Sequence, residues 1–146
     1  DIQTKEQALD MLTNIVRSIK DYDNSKKVVA SGYADYERIN SISPLELPFI
    51  CKNAGIDVVM MDTGIKDGRS TFEFLTEFEL TDFVTRARSL GLSTALAGTI
   101  KFENIPVLKR IRPDIIGVRG CVCGGDRNST IKRELVERLR CELVNM

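Results

Sequence analysis

Residues 58–68 read VVMMDTGIKDG, an apolar run that ends at a carboxylate and is followed four residues later by an ammonium group. A short apolar run bounded by turn residues is typical of a strand buried on both faces of a parallel sheet. In such sheets, the loops at the carboxyl ends of the strands carry the reactive groups. Asp62 and Lys66 therefore lie where a functional site is expected.

Apolar segments of similar length recur along the chain and predict four strands, at 27–31, 57–61, 93–97 and 114–118. Helical patterns fill the intervals between them. The spacing of strand and helix signals is that of repeated βα units. We therefore predict an α/β fold with a parallel sheet.

Capping signals mark the starts of the predicted helices. Thr4 and Gln7 form one capping box, and Thr76 and Glu79 form a second one. Ser43 is followed by a proline, which predicts an N-cap with proline at the first helical position. The apolar spacing also predicts a short helix over 105–111 and a terminal helix over 135–143.

Two architectures fit this pattern: a small open sandwich, or half of an eight-stranded barrel. The chain begins with Asp1 and passes directly into a helix-capping pattern, as a continuation would. We therefore expect residues 1–146 to form a single domain, the C-terminal half of a TIM (β/α)8 barrel that lacks its N-terminal strands. Its open sheet edges would need a partner, either a second copy or the missing half.

Composition narrows the classes of function. The 21 basic and 21 acidic residues balance, so no global field favours nucleic acid or an anionic membrane. No apolar stretch reaches the roughly 20 residues of a membrane helix, and no signal peptide is recognisable. A cytoplasmic protein is expected.

Neither a metal nor a cofactor is expected. Cys121 and Cys123 are separated by one residue, and the chain has no histidine to complete a zinc site. Buried or incidental thiols explain the four cysteines. The lack of histidine also excludes Ser-His and Cys-His nucleophile pairs, so acid–base chemistry must come from other side chains.

Glycines and a cation at the ends of the last two strands suggest an anion site. Gly98 follows the third strand, and Arg119 and Gly120 follow the fourth. Glycines let backbone N–H groups approach a phosphate, and the last two loops of barrels frequently hold one. Ordinary turn chemistry is the competing explanation.

Three interpretations of Asp62 and Lys66 are open. A lysine shielded from water can attack a carbonyl or accept a proton. A neighbouring carboxylate instead favours the charged lysine, which acts as an acid or a phosphate ligand. An exposed loop ion pair without function is the third interpretation.

Five segments in order resemble the (5-formylfuran-3-yl)methyl phosphate synthase family of methanofuran biosynthesis. They are 28–35 (VVASGYAD), 61–68 (MDTGIKDG), 95–101 (ALAGTIK), 115–120 (IIGVRG) and 124–128 (GGDRN). The resemblance runs nearly end to end but covers only the later part of that family's barrel.

This resemblance implies a TIM-barrel lyase that joins two glyceraldehyde 3-phosphate molecules by a Schiff-base mechanism, with loss of phosphate and water. Asp62 would relay protons, and Lys66 would hold phosphate or act as an acid. Gly98, Arg119 and Gly120 would bind a substrate phosphate.

The family's imine-forming lysine and a second catalytic lysine lie on early strands that have no counterpart in this chain. We therefore predict that the isolated polypeptide is inactive. Another phosphosugar barrel enzyme, such as a Schiff-base aldolase or an epimerase, is one alternative. A non-catalytic half-barrel that binds phosphate is another.

Overall fold

Four parallel strands form a single sheet whose strand order follows the sequence, and a helix follows each strand. The computed structural model describes residues 2–144. The strands are β1 (Val29–Tyr33), β2 (Val58–Asp62), β3 (Ser93–Leu96) and β4 (Ile115–Ile116). The helices are α1 (Lys5–Tyr22), α2 (Leu47–Ala54), α3 (Glu77–Ser89), α4 (Ile105–Ile111) and α5 (Arg133–Leu143). The predicted α/β class with parallel strands is confirmed.

Short 3₁₀ turns connect several of these elements. They lie at Tyr36–Ile39, Pro44–Glu46, Thr71–Glu73, Phe102–Asn104 and Gly120–Cys123. Four of the five follow the carboxyl end of a strand, so they shape the edge of the sheet where a site was predicted.

The predicted strand boundaries need correction. The segments predicted at 27–31 and 57–61 begin one or two residues later, and the segment at 93–97 ends one residue earlier. Asp57 lies directly before β2, and its carboxylate accepts a hydrogen bond from Val28 N at 2.7 Å. Asp114 precedes β4 because its N–H donates to the side chain of Thr94 at 3.0 Å rather than to a strand carbonyl, and its carboxylate accepts from Thr94 N at 2.8 Å. After β4 the chain turns into a 3₁₀ segment, so the strand predicted at 114–118 has only two residues.

Both predicted capping boxes are present, at the starts of α1 and α3. The prediction for Ser43 is wrong in detail. Ser43 precedes a 3₁₀ turn and makes no side-chain capping bond, and α2 begins only at Leu47. Pro48 has no N–H to donate to Pro44 O, so an α-helical ladder cannot run from the first proline.

The hydrophobic core lies on the helical side of the sheet. Met61 and Leu96 point into it and pack with helix residues such as Phe83 and Leu108. Consecutive helices also contact one another, which places them in one layer. No helix in the described part of the chain combines the length and apolar character needed to cross a membrane.

The opposite face of the sheet is only partly covered. Burial on both faces was expected, and it holds best for β2, where Val58 and Val59 are 5% and 0% exposed. The outer strands differ, because Val29 is 51% and Ile115 49% exposed. Each strand pairs beside the previous one on the same side of the growing sheet. Right-handed crossover connections then place every helix on the same face. The other face then lacks a helical cover.

Candidate functional site

A cleft of about 400 Å³ lies at the carboxyl ends of β2, β3 and β4. Parallel pairing sets these ends side by side, since Ala97 N donates to Met61 O and Gly117 N donates to Leu96 O, both at 2.8 Å. The cleft is lined by all five residues that the sequence singled out: Asp62, Lys66, Gly98, Arg119 and Gly120. The structure thus brings them together, although their chemical roles remain predictions.

Asp62 and Lys66 form an ion pair at this edge. Asp62 is the last residue of β2, and its Oδ1 accepts hydrogen bonds from Lys66 Nζ at 2.7 Å and from Thr63 N at 2.7 Å. Lys66 Nζ also donates to Thr63 O at 2.5 Å. Their side chains are 25% and 33% exposed, so the pair is partly shielded rather than fully in solvent.

The ion pair keeps hydrogen-bonding capacity for a ligand. An ammonium group has three donors. Lys66 Nζ makes two short bonds, and its third partner, Thr63 Oγ1, lies at 3.4 Å, a long bond that a molecule in the cleft can replace. Within residues 2–144, Asp62 Oδ2 accepts no hydrogen bond. The weakly bonded donor of Lys66 and the Oδ2 acceptor of Asp62 both belong to side chains that line the cleft.

Gly98 occupies a place that no other residue can fill without displacement. Its φ is +92°, and an added Cβ would overlap Thr71 Oγ1 and lie 3.0 Å from Thr63 N. Thr71 donates from Oγ1 to Ala97 O at 2.7 Å and from its N–H to Gly98 O at 3.0 Å. Close packing alone therefore requires a glycine here, in agreement with the explanation of Gly98 as an ordinary turn residue.

The backbone at this position also offers donors. Across the described residues, no group accepts a hydrogen bond from the N–H of Gly98 or of Thr99. Thr99 has a φ of +49°, an uncommon conformation for a β-branched residue. Such backbone strain is concentrated at functional sites in proteins. The predicted binding role of Gly98 is therefore compatible with its packing role.

Arg119 joins the two ends of the last loop. Its Nε donates to Arg127 O at 2.8 Å, and Gly125 N donates to Gly120 O at 2.8 Å. The remaining guanidinium donors of Arg119 make no hydrogen bond to the described residues, and the side chain is exposed beside the cleft.

Sequence reasoning gave no role to several residues at the site. Asp126 and Arg127 line the cleft, so three cationic side chains face two anionic ones there. Asp67, in the loop after β2, does not line the cleft, but the pKa of its carboxyl group lies well below the ordinary value. The causes are hydrogen bonds from Arg69 first, and then the contact with Arg38.

The cysteines are free thiols without a shared site. Burial raises the pKa of the Cys51 thiol to about 12, and burial also raises that of Cys121. Over residues 2–144, no cluster of carboxylate and thiol side chains has the arrangement of a metal site.

Comparison with known proteins gives consistent matches. A sequence model of the 4-HFC-P synthase family matches residues 1–140. The chain is 64% identical over 142 residues to (5-formylfuran-3-yl)methyl phosphate synthase of Methanosarcina mazei, covering 97% of this chain and 61% of that protein. It is 53% identical over 138 residues to the synthase of Archaeoglobus fulgidus, covering 94% and 59%.

A synthase of Methanocaldococcus jannaschii is 52% identical over 136 residues, which cover 92% of this chain and 58% of that protein. The chain thus spans about three fifths of the length of the curated relatives it matches. The family match extends over nearly all of the residues given. The chain belongs to the 4-HFC-P synthase family.

Proposed function

We propose that this chain is part of an enzyme that forms (5-formylfuran-3-yl)methyl phosphate from two molecules of glyceraldehyde 3-phosphate, in methanofuran biosynthesis. The names of its relatives support the product. The observation that carries the proposal is the cleft in which the Asp62–Lys66 pair faces Gly98 and Arg119. A phosphorylated aldehyde needs both an acid–base pair and an anion site.

The fold favours a TIM barrel of which this chain is the later half. Strand order that follows the sequence, with all helices in one layer, is the arrangement of (βα)8 barrels and differs from doubly wound sheets. Active sites of such barrels lie at the carboxyl ends of the strands, as this cleft does. The remaining two fifths of the relatives' length would supply the other strands.

The chemistry requires proton transfer at several steps. Enolisation of a triose phosphate removes a proton next to a carbonyl, and later steps eliminate water and phosphate. Asp62, through its free Oδ2, would take and return the proton. Lys66 would stabilise the developing oxyanion or the leaving phosphate with the donor that makes only the long bond to Thr63 Oγ1.

Substrate phosphate would bind to the backbone N–H groups of Gly98 and Thr99 and to the guanidinium of Arg119. Each of these groups lines the cleft and has donors not used by the described residues. The imine-forming amine would come from the remainder of the enzyme, because Lys66 already forms an ion pair with Asp62.

A chimera tests this function: the chain replaces the matching part of the Methanosarcina mazei relative, and product is followed by the ultraviolet absorbance of its furan aldehyde. The unmodified chimera is expected to form product from glyceraldehyde 3-phosphate. Lys66→Met and Asp62→Asn should each lower kcat/KM by at least about 100-fold, as loss of a general acid or base does. Lys52→Met, which removes an exposed charge on α2, is the matched control.

Other outcomes would contradict the proposal. Cleavage or epimerisation of a phosphosugar without furan absorbance would indicate a different barrel enzyme. Binding of inorganic phosphate without any turnover by the chimera would indicate a non-catalytic protein. An equal loss of activity in Lys66→Met and Lys52→Met would contradict the catalytic role proposed for the Asp62–Lys66 ion pair.

A further inference from the structure

Asp35 is a buried carboxylate that lies two residues after β1. Its side chain is fully buried. Oδ1 accepts a hydrogen bond from Gly64 N at 2.6 Å, and Oδ2 accepts one from Ile65 N at 2.9 Å. Both oxygens are therefore used to hold the loop that follows β2, immediately before Lys66.

Arg38 extends this contact to the other side of Lys66. One terminal nitrogen of Arg38 lies 3.7 Å from Asp35 Oδ2, and the other lies 2.8 Å from Asp67 Oδ2. The guanidinium also stacks on the ring of Phe74, with its carbon 5.5 Å from the ring centre. The chain is thus fixed at residues 64, 65 and 67, and Lys66 lies between these fixed points.

Among the described residues, the one local polar contact of the Asp35 side chain is the ion pair with Arg38 at 3.7 Å, and it makes no capping bond. The 3₁₀ turn that follows is started by the backbone, since Arg38 N donates to Asp35 O at 2.9 Å, and the Asp35 side chain forms no capping bond there. A buried ionised carboxylate is costly unless it is well paired. Here both of its hydrogen-bond donors, Gly64 N and Ile65 N, belong to the loop that carries the Asp62–Lys66 ion pair.

Apart from the contacts with Asp35 and Arg38, the hydrogen bonds that the structure gives residues 63–69 are made within residues 62–69. Residues 63–70 contain no helix or strand, and two of them are glycines. Lys66 reaches Asp62 only because the chain turns back within four residues. Loss of the two N–H bonds to Asp35 would free that turn, and the ammonium would occupy several positions instead of one.

We propose that Asp35, assisted by Arg38, is a positioning residue that sets Lys66 against Asp62 in the cleft. The expected effect of Asp35 on turnover rests on the proposed function. Its expected effect on the conformation of the loop after β2 does not. Asp35 does not line the cleft and acts only through the backbone of residues 64 and 65.

The first test examines this chain by NMR and needs no turnover. Asp35→Asn keeps one acceptor and loses the other, so amide hydrogen exchange at Gly64 and Ile65 should quicken by about tenfold or more. The contact between Lys66 Nζ and Asp62 should weaken in parallel. Asp57→Asn is the matched control, because Asp57 also accepts a backbone N–H but lies before β2, at the opposite edge of the sheet.

The second test measures turnover in the chimera. Asp35→Asn should lower kcat by about 100-fold, the loss expected for misplacement of a catalytic group, with a smaller change in KM. In a Lys66→Met background the same substitution should have almost no further effect, because both changes act on one unit. Asp57→Asn should leave kcat within about threefold of the parent chimera.

A second variant keeps the inference testable if the first one does not fold. If Asp35→Asn fails to fold, Arg38→Met is used instead. It removes the guanidinium that joins Asp35 to Asp67 at a partly exposed position, and it should lower kcat by about tenfold. Unchanged exchange at Gly64 and Ile65, or an equal loss of kcat with and without Lys66, overturns the inference. If the parent chimera forms no product, the proposed function fails, while the exchange experiment still decides the role of Asp35.

Discussion

At the scale of single residues, Gly98 is a backbone position that packing requires and to which the proposed function also assigns phosphate binding. Its φ of +92° is accessible to glycine at little cost, and its missing Cβ leaves room for Thr71 and Thr63. The N–H groups of Gly98 and Thr99 have no acceptor among the described residues, and both residues line the cleft. The proposed phosphate site and the close packing therefore make the same demand on residue 98.

Gly98→Ala is expected to destabilise the protein by about 2–4 kcal/mol, because backbone strain adds to overlap with Thr71. The free energy of unfolding in urea measures this. Gly91→Ala is the matched control, since Gly91 has a φ of +78° with nothing within 4 Å of an added Cβ. It should cost only about 1 kcal/mol. Equal losses in the two variants would show that overlap at residue 98 contributes nothing.

At the scale of elements, the junctions before β2 and β4 repeat one design. Each has a residue with positive φ at the end of a helix, then a buried apolar residue, and then an aspartate that binds the start of the neighbouring strand. The aspartates are Asp57 and Asp114, which accept from Val28 N and Thr94 N. They fix the strands at the edge opposite the cleft.

The pKa of Asp57 is lowered, chiefly by the hydrogen bond from Val28 N, although partial burial opposes this. For Asp114, burial is the largest influence and raises the pKa. The hydrogen bonds from Thr94 and the contact with Arg88 outweigh it, so the net pKa is also lowered. Both carboxylates are therefore more acidic in the folded chain than in the unfolded one.

A lowered pKa in the folded state gives stability that is present above the unfolded pKa and is lost on acidification. The stability difference between the parent chain and Asp57→Asn should therefore be largest near pH 7 and shrink below about pH 4. Urea unfolding at several pH values measures it. Asp21→Asn, at an exposed position without an ion pair among the described residues, should change stability by less than about 0.5 kcal/mol. A difference that grows on acidification would contradict the assignment.

Prediction from the sequence succeeded where the signal is local. The capping boxes at Thr4 and Thr76 depend on residues three apart, and the helix over 105–111 was placed at its observed bounds. Strand ends were less accurate because pairing depends on neighbouring strands, as the two-residue β4 shows. The 3₁₀ turns depend on contacts made after folding and left no clear pattern.

The same contrast between local and long-range signals applies to the candidate site. The carboxyl ends of parallel strands lie side by side, and on this ground the sequence placed the site residues at one edge of the sheet. In the structure all five line one cleft: Asp62, Lys66, Gly98, Arg119 and Gly120. Asp35 follows β1 by the same rule, yet nothing in the sequence showed that its carboxylate turns to the loop after β2. Thr71 was equally hidden, because its contact with Ala97 O joins residues 26 positions apart.

At the scale of the whole molecule, the sheet has one covered face and one partly open face. The pairing register aligns Ile115 with Ala95, Met60 and Ser31, and places Val29 on the same face two residues before Ser31. Val29 and Ile115 are each about half exposed there. In a closed barrel this face would become the interior, so the proposed half-barrel implies that the uncovered apolar residues are an association surface.

Val29→Ser combined with Ile115→Ser should weaken association with the unmatched part of the Methanosarcina mazei relative, supplied as a separate polypeptide, by at least about tenfold. The reason is the loss of apolar area that would be buried on barrel closure. Titration calorimetry measures the affinity. Phe78→Ser is the matched control, because Phe78 is 81% exposed on α3 within the helical layer and should leave the affinity unchanged. A loss confined to Phe78→Ser would instead place the association surface on the helices and contradict the half-barrel.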